Sequence, residues 1–186
     1  MKTHQDKILA LLPTLVRYEP DTGKLFWLPR DESLFPSFRS FKTWNTRFAN
    51  KEIKCKNGVG YYQARITVDS EERAYLVHHL VWALLNGDWP VKQIDHIDHD
   101  GYNNRADNLR EVSHKENGRN RSKKKTNISG FNGVHWAKNS SKWRAEIKVD
   151  GKKIHLGVFL NLEDAIKARA EADAQYGFHP NHGIIC

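Results

Sequence analysis

Residues 142–149, KWRAEIKV, alternate between polar and apolar side chains and run into an Asp150-Gly151 pair. Alternation with a period of two is typical of a half-buried strand, and Asp-Gly is a strong signal for a tight hairpin turn. The pattern predicts strands at 133–137, 142–149 and 153–159, and then an alanine-rich helix at 161–176 that begins at an Asn cap. We therefore expect a small three-stranded antiparallel sheet with one face covered by this helix and one face open.

The first half of the chain mixes helical and strand periodicities. Apolar residues at helical spacing predict a helix within 5–16, and Pro13 predicts that this helix ends early. The run YEPDTG predicts a turn between strands at 15–18 and 24–28, whereas 30–50 lacks periodicity and is expected to be an irregular loop with aromatic anchors. Further elements are expected as strands at 59–68 and 74–77 and a helix at 78–85.

Residues 93–117, QIDHIDHDGYNNRADNLREVSHKEN, concentrate polar side chains that suit metal-assisted chemistry. We expect a strand at 91–95, a long loop, a short strand at 108–112 and a helix at 113–120. Ser113 and Glu116 have the spacing of a capping box, which supports that helix start.

Hydrolysis of a phosphodiester needs a base for water and a cation for the developing charge. His96 has a suitable pKa range for the base, and Asp95 and Asn117 carry the oxygen donors that Mg²⁺ or Mn²⁺ prefers. Neighbouring residues of a flat strand point to opposite faces, so the strand must end or bend at Asp95 and His96. Taken alone, such a pair is more often structural than catalytic.

The positive charge of the chain is concentrated in one segment. The net charge is +8, and residues 113–157 contain 12 Lys or Arg against three acidic residues, while residues 1–112 are nearly balanced. Such a segment favours nucleic acid or an anionic membrane surface as partner. The basic run RNRSKKK, with Arg121, Lys123, Lys124 and Lys125, has two interpretations: it follows DNA phosphates, or it is a solvated linker.

Cysteine content and the N-terminus limit the setting of the protein. Two distant cysteines, Cys55 and Cys186, indicate neither a disulfide framework nor a four-thiolate zinc site, so a reducing intracellular setting is expected. The N-terminal apolar run is too short and interrupted for a signal peptide or membrane span. We expect a soluble protein of the cytoplasm, or of the host cytoplasm if it is phage-encoded, with no membrane partner and no obligate protein partner.

The order His96, Asn108, Asn117 resembles the motif of the HNH nucleases. The stretch DHIDHDGYNNRADNLREVSHKEN, the preceding VHHLVWALLNGDWP and the early YEPDTGKLFW look like the phage-type branch with its homing endonucleases, over roughly residues 15–120. The resemblance implies a ββα unit that grips one divalent metal, Mg²⁺ or Mn²⁺.

The same resemblance implies roles for individual residues. His96 would be the general base, Asp95 and Asn117 the metal ligands, and Asn108 the brace of the loop that orients His96. Asn117 stands where the name-giving motif has His, although the phage branch commonly has Asn there. His114 is a substitute ligand and Asn104 a second candidate brace. His79 replaces a basic residue usual in the branch, and we expect one of His78 and His79 to pack and the other to face solvent.

Residues 128–177 resemble the Apetala-two domain of plant ethylene-response factors, in which a three-stranded sheet lies in the major groove of DNA. The match rests on KWRAEI, HLGVF and the start of the following helix. By position, the candidate DNA-facing residues are His135, Lys142, Arg144, Glu146, Lys148, Lys153 and His155. Trp136 and Trp143 are expected in the core, and His135 stands where the plant proteins usually have Arg.

Together these features predict an α+β protein in three parts: an HNH nuclease domain at 1–118, a basic linker at 119–129 and an Apetala-two-like domain at 130–186. The expected function is metal-dependent endonuclease cleavage of double-stranded DNA, by nicking or by a double-strand cut. Two alternatives remain open, a non-catalytic DNA-binding protein such as a transcriptional regulator and a protein that binds or cuts RNA.

Overall fold

In the described part of the chain, four small sheets and five α-helices form a mixed α/β architecture. The structure, a computed structural model, describes residues 3–118 and 127–179. It divides into two compact units, residues 1–96 with 100–111, and residues 97–99 with 112–186. At the level of a mixed α/β class with small antiparallel sheets, this is the predicted fold. The predicted domain boundaries stay a prediction.

The first unit carries most of the elements. They are α1 (His4–Leu15), β1 (Val16–Glu19), β2 (Lys24–Trp27), a 3-10 turn (Glu32–Leu34), α2 (Phe38–Phe48), β3 (Cys55–Lys56), β4 (Tyr62–Val68), β5 (Glu71–Leu76), α3 (Val77–Asn86), β6 (Gln93–His96), a second 3-10 turn (Ala106–Asn108) and β7 (Leu109–Val112). The sheets are β1-β2, β3-β4-β5 and β6-β7, and the first two are antiparallel.

Helix α1 continues past Pro13, so the predicted early end is wrong. Thr3 and Asp6 form a capping box that fixes the start of the helix. Ile8, Leu12 and Leu15 are buried in the core of the unit. This burial and the cap outweigh the one backbone hydrogen bond that the proline removes in the last turn.

The segment at 30–50 is also not the irregular loop that was predicted, because it contains α2. Ser37 caps the helix by accepting a hydrogen bond from the Ser40 amide. Aromatic side chains then recur every three or four residues and touch one another, with Trp44 and Phe48 ring centroids 5.5 Å apart. The residues that recur at helical spacing are thus aromatic. Aromatic residues have modest helix propensity, so this helix is stabilised by tertiary packing.

The core of the first unit lies between α1, α3 and the strand β4. Ala64, Ile66 and Val68 of β4 are buried, while Arg65 and Thr67 between them are exposed. This alternation directs one face of the sheet to the helices. The members of the core include Ile8, Leu12, Leu25, Ile66, Val77, Leu80 and Val81.

The second unit contains α4 (His114–Gly118), β8 (Val134–Ala137), β9 (Lys142–Val149), β10 (Lys152–Phe159) and α5 (Leu162–Gln175). The strands form an antiparallel sheet in the order β10-β9-β8, and α5 packs on one face of it. Asn161 stands at the N-cap position of α5, but its side chain makes no capping hydrogen bond, contrary to the expected Asn cap.

One buried guanidinium ties α5 to the middle of this sheet. Arg169 is 5% exposed, and its Nη1 donates to the Glu146 carbonyl oxygen of β9 at 2.9 Å. Its Nε and Nη2 donate to Asp173 Oδ1 at 3.2 and 2.7 Å, so a carboxylate compensates the buried charge. Gly133 permits this arrangement: its φ is +76°, and a Cβ there would collide with the Glu146 carbonyl oxygen and Arg169 Nη1.

We therefore expect Gly133→Ala to destabilise the second unit by roughly 2 kcal/mol more than Gly151→Ala does. Both glycines have positive φ, +76° and +83°, but nothing lies within 4 Å of a Cβ at Gly151. Because backbone strain affects both variants, the difference between their stabilities reports the steric conflict of the added Cβ with Arg169 and β9. Native-state hydrogen exchange of the β9 amides measures it, and equal losses in the two variants would contradict this account.

Candidate functional site

Strand β6 ends at His96, so the chain leaves the flat strand at the Asp95-His96 pair, as the chemistry required. Ile94, Asp95 and His96 are all buried, with Asp95 8% and His96 5% exposed. Burial of three successive residues means that both sides of this strand end are covered. Two polar groups at such a place need partners, because an unpaired buried charge is costly.

The partner of Asp95 is Arg110 on β7, which sequence reasoning missed. Arg110 Nε and Nη2 both donate to Asp95 Oδ2, at 3.0 and 2.8 Å. The carboxylate is the more enclosed member, with 9% of its side chain exposed against 29% for the guanidinium. Asp95 is therefore anchored by a cation of its own chain. The only feature of the sequence that points to Arg110 is the Asn-Leu-Arg run after the loop, and its spacing alone does not link Arg110 to Asp95.

His96 is held by the amide of Asn104, which is 1% exposed. His96 Nε2 and Asn104 Oδ1 are 3.3 Å apart, and Asn104 Nδ2 donates to the Tyr102 carbonyl oxygen at 3.1 Å. Since the amide nitrogen is used on Tyr102, its oxygen faces the imidazole and accepts from Nε2–H. In the neutral ring this assignment leaves the lone pair on Nδ1.

Asn108 has a different role in the same loop. Its Nδ2 donates to the Asn103 carbonyl oxygen at 2.8 Å, and the residue is 7% exposed. It therefore fastens the loop backbone next to Asn104. Of the two candidate braces, Asn104 thus contacts the imidazole and Asn108 contacts the loop backbone, and their roles stay predictions.

The N-terminal hairpin supports this loop from outside. Tyr18 Oη on β1 donates to the Asn104 carbonyl oxygen at 3.0 Å. Gly23 in the turn after β1 has φ +70°, and a Cβ there would lie 2.5 Å from the Arg105 amide nitrogen. The close approach explains why the YEPDTG turn and the distant Asn-Asn-Arg run belong to one site.

Aromatic rings enclose the imidazole of His96. The His78 ring on α3 meets it edge to face with centroids 4.9 Å apart, and Tyr61 lies 5.7 Å away. Burial, with smaller contributions from His79 and His96, lowers the pKa of His78 to about 3. Burial also lowers the pKa of His79, which is only half-buried. His78 packs as expected for one of the pair, whereas nothing in the sequence singled out Tyr61.

The other two predicted site residues of this region lie in the second unit. Asn117 is half-buried on α4, and His114 at the first position of that helix is exposed. The predicted capping box is present, since the Ser113 amide donates to Glu116 Oε2 at 2.8 Å and the Glu116 amide donates to Ser113 Oγ at 3.3 Å. Across residues 3–118 and 127–179, no three His, Cys, Asp or Glu side chains are grouped so that they could hold a metal.

The seven candidate DNA-facing residues share one face of the C-terminal sheet. Their cross-strand pairs are His135 with Arg144, Glu146 with His155, and Lys148 with Lys153, and Lys142 stands opposite Ala137 in the same register. Glu146 receives a hydrogen bond from Lys153 Nζ at 3.2 Å and lies 3.7 Å from Arg144 Nε. Four basic side chains therefore share this face with a single carboxylate, and two of them, Arg144 and Lys153, lie close to it.

The opposite face packs on α5. Ala145 and Ile147 are buried, and Trp143 is half-buried. Trp136 is 44% exposed, so its expected core position is wrong. The residue is exposed because β8 lies at the edge of the sheet. Its ring meets the Trp143 ring edge to face, with the two centroids 5.2 Å apart. The basic residues Arg121, Lys123, Lys124 and Lys125 lie outside the described residues.

The chain is similar to known proteins in three respects. Residues 75–119 match the family model of the HNH endonucleases. The chain is 40% identical over 77 residues to Protein 3.8 of Escherichia phage T7. The matched residues make up 41% of this chain and 64% of the phage protein, so the match spans less than two thirds of the phage protein's length. It is also similar to a solved structure described as DNA binding and cleavage by the HNH homing endonuclease I-HmuI, at 19% identity and a TM-score of 0.38, with coverage of 90% and 89%.

The HNH part of the expected resemblance is confirmed over residues 75–119, a segment that includes Asp95, His96, Asn108 and Asn117. The Apetala-two part and the roles of individual residues stay predictions. Within the described ranges, none of the helices is long and apolar enough to cross a membrane.

The lowered pKa of His78 predicts that acid destabilises the first unit. The folded pKa is about 3 and the ordinary value 6.5, so between these values the unfolded chain binds the proton and the folded chain does not. Stability then falls as pH drops below about 6.5, by up to roughly 1.4 kcal/mol per pH unit from His78 alone. His79 acts in the same direction.

Urea unfolding followed by circular dichroism between neutral and mildly acidic pH measures this slope. We expect His78→Gln to flatten it, whereas His155→Gln, at an exposed position of the sheet, leaves it unchanged. An undiminished slope in His78→Gln would show that other groups cause the acid sensitivity.

Proposed function

We propose that this protein is a metal-dependent endonuclease of the HNH homing type that hydrolyses phosphodiester bonds in double-stranded DNA. The observation that carries the proposal is the histidine at the end of β6, buried within the HNH-matched segment and held through Nε2 by a buried amide. A base for water needs an oriented imidazole with its lone pair directed away from the anchoring group.

His96 is proposed as the general base. Asn104 accepts from Nε2–H, so the proton of the attacking water goes to Nδ1. The water oxygen bonds to phosphorus and the bond from phosphorus to the leaving oxygen breaks. Tyr61 and His78 keep the ring in one orientation, as their centroids lie within 5.7 and 4.9 Å.

Asp95 and Asn117 are proposed to hold the divalent metal. A carboxylate and an amide oxygen are hard donors that fit Mg²⁺ or Mn²⁺ better than a thiolate-preferring metal. The metal, when bound, supplies a positive charge for the phosphate and leaving oxygens. Arg110 holds the Asp95 carboxylate in place, because both of its hydrogen bonds go to one carboxylate oxygen.

The C-terminal sheet is proposed to bind DNA in the manner of an Apetala-two domain, with the basic segment at 119–129 following phosphates. Lys148 and Lys153 stand directly opposite each other across two strands, a pairing that costs stability in water. A polyanion on the sheet removes that cost. The alternating stripe of His135, Arg144, Glu146 and His155 offers both donors and acceptors to base edges.

One observation favours a second candidate, a DNA-binding protein that does not cleave. Asp95 is already engaged by Arg110, so a metal would have to share the carboxylate with a guanidinium. In a decayed nuclease this ion pair would be a structural replacement for the metal. Cleavage and binding therefore have to be measured separately.

We expect His96→Ala to abolish cleavage while DNA affinity changes less than about threefold. The proposed base acts on the attacking water, whereas the C-terminal sheet is proposed to bind the DNA. Asn104→Ala should lower cleavage about 10- to 100-fold, because the imidazole loses its anchor. Supercoiled plasmid incubated with Mg²⁺ or Mn²⁺, with and without EDTA, reports the activity, and open circles alone indicate nicking.

Asp107→Asn is a suitable control for Asp95→Asn, because Asp107 lies in the same stretch with 75% of its side chain exposed. Asp95→Asn should raise the metal concentration needed for cleavage, and Asp107→Asn should not. Wild-type protein that binds DNA but never cleaves it with either metal would leave the non-catalytic candidate as the function.

For the sheet we expect Lys148→Gln to weaken binding to duplex DNA and to make the plot of log affinity against log salt shallower by about 0.9, the contribution of one phosphate contact. Lys167→Gln on α5 removes the same charge from the exposed side of the helix and should leave the slope unchanged. Equal effects of both variants would contradict a specific role of this face, and a preference for RNA over DNA in competition would support the RNA alternative.

A further inference from the structure

Helix α2 buries none of its residues, although it is 11 residues long and lies in the first unit. Its sequence, FRSFKTWNTRF, contains Arg39, Lys42 and Arg47 and no acidic residue. Phe38 is 60% exposed at its first position. Trp44 and Phe48 of the helix pack against the core of the unit, whereas its basic residues are exposed and play no part in the site around His96.

A concave surface of about 420 Å³ runs along this helix. We call it the α2 groove; it is lined by Phe35, Ser37, Arg39, Ser40, Thr43, Trp44, Arg47 and Phe48. Two guanidinium groups and three hydroxyl groups thus stand around three aromatic rings. The hydroxyl groups of Ser37 and Ser40 are used in the cap of the helix, so the guanidinium groups are the donors suited to phosphate oxygens, and the aromatic rings are suited to sugars and bases.

The charges of the groove are not compensated within the described residues. Several other exposed basic residues of the unit are paired, for example Arg65 with Glu72 at 3.0 Å and Lys7 with Asp69 at 2.5 Å. Among the ion pairs of the described chain, by contrast, neither Arg39 nor Arg47 has a carboxylate partner, and Arg47 lies over the Phe48 ring at 5.1 Å. Both guanidinium groups are thus available to an anion from outside.

A third cation lies behind the groove. The Arg30 guanidinium stacks on Trp44 at 4.0 Å and on Trp27 at 5.0 Å, and Asn45 of α2 holds the Arg30 backbone through two hydrogen bonds of 2.9 and 3.0 Å. Its Nε and Nη2 are buried and have no hydrogen-bond partner among the described residues. Burial lowers the pKa of Arg30 to about 10, so it remains a cation at neutral pH.

We propose that the α2 groove binds the sugar-phosphate backbone of duplex DNA, with Arg39 and Arg47 on phosphates. This inference rests on the proposed nuclease function, and it assigns to the first unit a DNA contact of its own, independent of the C-terminal sheet. Charge complementarity carries it: from Arg39 to Lys51 the chain has four basic residues and no acidic one. The uncompensated Arg30 adds to the same potential.

The test compares two double variants of the full chain in binding to a fluorescent duplex over a series of KCl concentrations. Arg39→Gln/Arg47→Gln removes both charges but keeps the side-chain stems that pack on the rings. Arg17→Gln/Arg73→Gln removes the same charge from β1 and β5, where Glu19 and Glu71 lie within 3.6 and 2.6 Å. We expect the groove variant to make the salt dependence shallower by about 1.8, or two phosphates, and the control variant to leave it unchanged.

Arg39→Lys/Arg47→Lys keeps the charge and should retain the slope, which separates loss of charge from loss of structure. If wild-type protein cleaves DNA and both double Gln variants keep the wild-type slope, the groove inference is overturned and the nuclease proposal stands. If wild-type protein does not bind duplex DNA at all, both fail. Groove-dependent binding to vesicles containing phosphatidylserine, without an effect on DNA, would overturn the inference in favour of a membrane surface.

Discussion

The hydrogen bond between His96 and the buried amide of Asn104 connects several elements of the first unit. An amide with 1% exposure keeps its orientation only if both of its ends are used, and Tyr102 and His96 use them. Tyr18 then fixes the backbone of Asn104 from the N-terminal hairpin. The distant turn, the loop and the strand end are therefore parts of one polar network whose low exposure makes each bond costly to lose.

Charge pairing organises the surfaces in a similar way. At the site, the carboxylate of Asp95 is matched by a guanidinium of the same sheet, so the fold tolerates a buried anion. On the C-terminal sheet and in the α2 groove, cations exceed nearby anions, and Lys148 even faces Lys153. Stability alone does not favour such an excess, whereas binding to a polyanion does.

Much of the fold follows from local patterns. The two-residue period of β9 and its Asp-Gly turn place the strands of the second sheet within a residue or two of their observed bounds. The predictions that failed depended on tertiary packing. Pro13 stays inside α1 because Ile8, Leu12 and Leu15 of that helix are buried. Helix α2 forms because its aromatic rings pack against one another and against Trp27. Trp136 is exposed because β8 is an edge strand.

By itself the sequence determined the resemblance to the HNH motif, since Asp95, His96, Asn108 and Asn117 stand at its spacing and lie in the segment that matches this family model. It also determined which face of β9 is basic, because strand alternation is a local property. Only the tertiary structure decided that Arg110 pairs with Asp95, that Asn104 holds His96, and that Tyr61 and His78 enclose the ring. These contacts join residues from different elements, and their partners are selected by burial and geometry, which no spacing along the chain encodes.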